Sequence, residues 1–420
     1  MSSPHRAILS AAVPLLLSMS AGTVAQLIGT SLLGHQATAQ LAAFAVAGAV
    51  LTPVTAAVSG ALRGMAPFIA PLRETPAEAL PILRDARWLS IAIGTAGAGA
   101  VLAVPLIARA AGTPDEVTAE LGALPLLLAL QVLLFSAGGG ANGMLIALGR
   151  SHQVLWSSLS STAAGVILSL VLVPRIGLPG TGLAMLASSA VAVTVSNTLL
   201  LRLPELAGQP SWLGRPRPRE ILRMAKVGLP MSATILIKFT VMGGVTYAAA
   251  RTGTQGAAAH AILGSLGGFL TLTAFAVGQA ATPEIARAAS AAEARRINRA
   301  ALAIGTAGVL AGALVLLVAG RAVLGLFTSD ADVAGAAFAL LPLLVAYSVV
   351  NGGGIVTSAG MVALKRSAWS LGSAVAGHGL LALAMIPVTA AFGLAGLWTA
   401  LTLGSALIFA MQAGGFLRHR

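Results

Sequence analysis

The stretch "VGLPMSATILIKFTVMGGVTYAAA", residues 227–250, decides how this chain folds. It carries a single charge, Lys238, with apolar sequence extending about equally far on either side. Wound into a helix at ~1.5 Å per residue it is ~36 Å long, enough to cross a hydrocarbon layer ~30 Å thick. Comparable runs recur from end to end of the chain.

The whole composition agrees. Of 420 residues, 57% are hydrophobic and 9% are charged, where a soluble protein carries about 25% charged residues. Too little polar material exists to cover a soluble surface, so the chain belongs in a membrane. Forty-nine glycines suit helices that pack through small side chains. The pattern predicts an all-α membrane protein with twelve transmembrane helices, at 7–33, 41–70, 88–110, 119–148, 153–173, 180–201, 221–250, 258–284, 299–320, 335–363, 367–391 and 393–417. The short alternating segments of a β-barrel are absent. The first apolar run is longer than a signal-peptide core and has a counterpart later in the chain, so it reads as a structural helix.

The net charge of +13 does not point to nucleic acid, because the arginines sit in short loops between apolar runs. Arg109, Arg175, Arg251 and Arg321 fall on one side of the predicted topology, Lys238 lies within a span, and the other twenty Lys and Arg residues fall on the opposite side or at its span ends. The positive-inside rule then places both termini in the cytoplasm, in the plasma membrane of a bacterium, with membrane lipids as neighbours. There is no cysteine, hence no disulfide or thiol chemistry.

"RPRPRE" at 215–220 closes the longest connection, 202–220, which we read as a linker between six-helix lobes at 1–201 and 221–420. The lobes repeat at an offset of 216. Pro14 falls on Pro230, "LAAFAVAG" (41–48) on "AAAHAILG" (257–264), "PFIA" (67–70) on "PEIA" (283–286), "ALGRS" (147–151) on "ALKRS" (363–367) and "GLPG" (177–180) on "GLAG" (393–396). Six spans per lobe insert both halves the same way up, which gives two pseudo-twofold-related bundles with the axis along the membrane normal, as in rocking transporters.

Several stretches, in order, resemble the multidrug and toxic compound extrusion (MATE) transporters: "AAVPLLLSMSAGTVAQLIGTSLLGHQATAQLAA" (11–43), "GLPGTGLAML" (177–186), "VGLPMSATILIKF" (227–239) and "TQGAAAHAI" (254–262). The resemblance implies two six-helix lobes around a central cavity and export of small, often amphipathic compounds driven by entry of H⁺ or Na⁺. The departures lie at the family's ion-binding positions. Where such transporters often carry an acidic residue in helix 1, this chain has Gln26; in helix 5 it has Gly165 and Ser169; eight positions after Pro230 it has Lys238; four after Tyr347 it has Asn351. All twelve Asp and Glu residues lie in loops or near span ends.

Lys238 is too deep for its stem of about 6 Å to reach either interface. A lysine at a span centre costs ~2.5–3.5 kcal/mol, and such residues face a bundle interior or a wet cavity. It either attracts an anionic or zwitterionic substrate group, carries a proton, or is held by Tyr347, Asn351 and main-chain carbonyls as packing. His378 is a second proton-relay candidate, and His260, near the end of its helix, a weaker one. Tyr347, Asn351 and Gln26 offer neutral hydrogen-bonding groups or simply join helices. Gly138, Gly139 and Gly140, and Gly352, Gly353 and Gly354, either open the backbone to substrate or let helices pack closely. Pro14 and Pro230 should bend their helices, as a gate or as fixed shape.

No phosphate loop, metal spacing or catalytic constellation is present, so no cofactor and no enzyme activity are expected. The sequence predicts a monomeric secondary exporter, coupled to protons rather than to Na⁺, which needs hard oxygen ligands. A lipid-linked precursor flippase, or a membrane assembly protein that transports nothing, are the alternatives.

Overall fold

The protein is described by a computed structural model over residues 4–34, 38–110, 112–203 and 214–418. All regular structure among these residues is helical. In hydrocarbon each main-chain amide must be satisfied within its own segment, and helices do this. The long helices are α1 (Pro4–Gly34), α2 (Thr38–Leu62, extended by short turns to Leu72), α3 (Leu80–Leu102), α4 (Leu124–Ala147), α5 (Ser151–Ile176), α6 (Leu178–Leu201), α7 (Pro218–Ala250), α8 (Thr254–Ala286), α9 (Ala291–Gly325) and α10 (Leu341–Ala363). After a 44° bend α3 continues as Val104–Ala110. The 51-residue stretch Ser367–Leu417 is non-helical at Gly393 and so divides into α11 (367–392) and α12 (394–417). The described chain therefore holds the twelve expected spans.

Several boundaries differ from expectation. Helix α3 begins at Leu80 rather than 88, because the charges in "LRDAR" are accommodated within the fold: Asp85 is buried and ion-paired to Arg217. Helix α9 begins at Ala291 rather than 299. Ser290 Oγ accepts from Glu293 N at 3.2 Å and Glu293 Oε2 accepts from Ala289 N at 2.9 Å, a cap that starts the helix before the apolar run. Helices α4 and α10 start later than expected, since separate short helices, Asp115–Glu120 and Ala331–Ala339, precede them. The linker ends at Arg217, with Pro218 opening α7; its residues 204–213 lie outside the described set.

Two compact units emerge, one formed by residues 17–232 and the other by 233–420 together with 1–16. Their boundaries fall two residues beyond Pro14 and Pro230, inside α1 and α7, again 216 apart. In the first unit α4 packs on α3 and α6, and α6 on α5. The base of α7 belongs to this unit: Gly228 lies too close to the Ala61 carbonyl for any Cβ, and Ser232 Oγ donates to Ala57 O at 2.6 Å. In the second unit α10 packs on α8, α9 and the α11–α12 stretch.

The repeat extends to backbone conformation. Gly177 (φ 60°, ψ −133°) and Gly393 (φ 61°, ψ −151°) make the same turn, in a region that favours glycine. Three residues on, a Cβ at Gly180 would stand 2.7 Å from the Leu172 carbonyl, and one at Gly396 2.9 Å from the Val388 carbonyl. This is the physical content of "GLPG" and "GLAG". The corner after α4 likewise matches the corner after α10. Arg150 N donates to Leu145 O at 2.7 Å, and Arg366 N to Met361 O at 2.8 Å. Gly149 has φ 75°; its counterpart Lys365 has φ 58°, an unfavourable state for a residue with a Cβ.

Two outcomes follow for detergent-purified protein. Gly393→Ala should lower stability by about 1–3 kcal/mol, read as a fall in the thermal unfolding midpoint. Lys365→Gly should raise it by about 1–2 kcal/mol by relieving the left-handed backbone; an unchanged midpoint in both would show that these corners carry no strain.

Candidate functional site

The arrangement begins with α7. Met231, Val245 and Ala248 are buried on one face, while Leu236, Phe239, Gly243 and Tyr247 are exposed on the other. Lys238, seven residues from both Met231 and Val245, shares the inward face and is half-buried. It stands ~18 Å from the Ala250 end of the helix. Lys238 is thus only partly covered by the neighbouring side chains.

Helix α11 is the neighbour at this level. A Cβ at Gly244 would lie 2.6 Å from Met385 Cε, so the two helices pack closely there. One to two turns before that contact on each helix, Lys238 and the half-buried His378 lie within electrostatic reach of one another. His378 Nδ1 is 3.1 Å from Ala374 O. Only an N–H bonds to a carbonyl, so the proton of the neutral ring is on Nδ1 and Nε2 keeps a lone pair. The lysine offers three donors and no acceptor. The pair thus combines three N–H donors on the lysine with one lone-pair nitrogen on the histidine.

Tyr347 is half-buried on α10, its ring 5.7 Å and edge-on (87°) from Trp398 of α12. His260 of α8 approaches the same indole at 5.7 Å, tilted 55°. Trp398 is 2% exposed and sits in the apolar cluster with Val245, Leu263, Leu344 and Leu397. This indole, which joins two of the singled-out residues, was missed in the sequence; its place five residues after Gly393 is the one signal that marked it. Asn351 follows Tyr347 by one turn and is half-buried. Lys238, His378, Tyr347, Asn351 and His260 thus all belong to the second unit. Gln26, exposed, lies in the first.

The glycine runs sit at helix contacts. Cβ atoms at Gly138 and Gly139 would stand 3.2 Å from Val193 and 3.1 Å from Leu62, and Gly140 is pressed against Ser90. Cβ atoms at Gly352 and Gly353 would stand 3.3 Å from Ala274 and 3.0 Å from the Phe409 ring, and one at Gly354 3.8 Å from Gln412 Oε1. Pro14 and Pro230 lie inside continuous helices. Among the described residues no group of three or more His, Cys, Asp or Glu side chains is placed to hold a metal ion.

No protein-family model matches the sequence. The chain is 27% identical over 354 residues to a "Probable multidrug resistance protein NorM" of Aromatoleum aromaticum, covering 78% of this chain and 75% of that one. Its fold superposes with a TM-score of 0.87 at 19% identity on a multidrug resistance MATE family transporter of the MOP superfamily in an outward-facing conformation, over 100% of this chain and 98% of the other. It superposes equally well, 0.87 at 18% identity and over 99% and 95% of the two chains, on a MOP superfamily transporter from Pyrococcus furiosus, described as having a binding pocket of reverse polarity that suggests a different function. In fold and in these ordered sequence stretches the chain is similar to multidrug and toxic compound extrusion transporters.

Proposed function

We propose that this chain is a secondary active exporter of small amphipathic compounds that works by alternating access, is driven by proton entry, and sits in the bacterial plasma membrane with both termini in the cytoplasm. The relatives described as multidrug resistance proteins support the export reading, and the Lys and Arg distribution supports the orientation.

One observation carries the mechanism: a half-buried lysine on the inward face of α7 at mid-span, beside a histidine, where relatives often hold a carboxylate. A fixed positive charge there attracts an anionic or zwitterionic substrate group and repels a cation. Two adjacent cations in a medium of low dielectric repel one another strongly, so Lys238 and His378 do not both stay protonated at rest. Substrate and proton occupancy are thereby linked through one site, with Tyr347 and Asn351 as neutral contacts and no covalent chemistry. The pocket of reverse polarity described for the Pyrococcus protein, said to suggest a different function, is a precedent within the same fold for a pocket of altered charge.

Everted membrane vesicles test this. An anionic amphipathic dye should accumulate in proportion to the pH gradient, collapse with a protonophore, and show no dependence on a sodium gradient; accumulation driven by sodium alone would contradict the coupling. Lys238→Ala should keep the fold and lower accumulation at least tenfold, whereas Lys238→Glu should shift the preference toward cationic dyes. Normal kinetics for Lys238→Ala at several pH values would remove the lysine from the mechanism. Scrambling of labelled lipid in place of dye accumulation would favour a flippase.

A further inference from the structure

Asp85 is the single charged side chain among the described residues that is fully buried, at 1% exposure. It sits in the second turn of α3 and takes three contacts from one residue of the linker. Arg217 Nη2 approaches Oδ2 at 2.6 Å, Arg217 Nε donates to Oδ2 at 2.8 Å, and Arg217 N donates to Oδ1 at 3.2 Å. Arg217 is also where α7 begins, because its carbonyl accepts from Glu220 N and Ile221 N, both at 3.0 Å. Nearby, Trp88 Nε1 donates to Gly214 O at 3.3 Å, and Gly214, at φ 51°, lies against the Arg84 stem. The hydrogen bond to Asp85 raises the Arg217 pKa above its ordinary value, so this guanidinium stays charged throughout the physiological range.

The arrangement has no counterpart in the repeat. The position 216 residues after Asp85 is Ala301, and the position 216 before Arg217 is Met1. It belongs to α7 alone, the helix that carries Lys238 and passes from one unit to the other after Ser232. A buried carboxylate is costly unless paired, and losing one partner leaves an uncompensated charge. Two guanidinium nitrogens converging on Oδ2, with the main-chain N–H on Oδ1, also fix direction, which a lysine would not.

We propose that Asp85 is a positioning residue: together with Arg217 it clamps the start of α7 to α3, so that the movement of α7 during transport is confined to the part beyond Ser232. The clamp acts at a distance, because Arg217 and Lys238 are 21 residues, ~32 Å, apart along the helix. Only the transport arm of the test rests on the export reading above; the distance arm does not.

The absence of cysteine permits clean labelling. Spin labels at cysteines replacing the exposed residues Glu78 and Arg219 report the spacing of α7 from the start of α3 in lipid nanodiscs. The unaltered clamp should give one narrow distance distribution. Asp85→Asn and Arg217→Gln should each broaden it at least twofold, and Arg217→Lys should fall between. In proteoliposomes the same two variants should lose about tenfold in turnover of the anionic dye with its half-saturating concentration unchanged within twofold. Arg217→Gln, on a half-exposed linker residue, keeps the test open if Asp85→Asn does not fold. A narrow distribution in either folded variant overturns the clamp; a broadened one with unchanged turnover overturns its part in transport.

Discussion

A lysine side chain placed midway along a helix long and apolar enough to cross a membrane is the constraint around which this structure is arranged. Water solvates it poorly there, lipid not at all, and its stem is too short to carry it to an interface. It has to lie on an inward helix face, and Lys238 does so, half-buried on the face of α7 that carries Met231 and Val245 and within electrostatic reach of His378. Everything else about the fold serves long unbroken helices. Main-chain groups are satisfied within each span, and the matching turns at Gly177 and Gly393 use a backbone region that glycine tolerates.

The doubled construction explains more than symmetry. Corners that match at an offset of 216 do so in dihedral angle and hydrogen bond, and the unit boundaries inside α1 and α7 match as well. The halves also differ at particular positions. Lys365 holds a left-handed backbone that Gly149 adopts without cost. Asp85 and Arg217 exist on one side only, at the one helix start that follows a linker.

Much of the architecture was legible because membrane spans announce themselves by length and polarity. "GLPG" and "GLAG" marked two turns that the structure places at the same angles, and the lone charge in 227–250 marked α7. Helix starts were less legible. "LRDAR" reads as loop until Arg217, 132 residues on, is seen to neutralise Asp85, and "SAAE" at 290–293 starts α9 before its apolar run. The glycine runs left two readings open, and only contacts such as Gly353 on Phe409 show what they touch. Trp398 escaped notice because a lone tryptophan near a span end looks like an interfacial anchor, whereas here it is buried between His260 and Tyr347.

The central claim is that Lys238 stands where water and solute reach it, and the chain's lack of cysteine allows a direct measurement. With Lys238→Cys in intact membranes, a charged, water-soluble thiosulfonate reagent should modify the introduced thiol, and the anionic dye should slow that modification. A thiol that stays inert under all conditions, while a control cysteine at the exposed Gln255 reacts, would contradict the account.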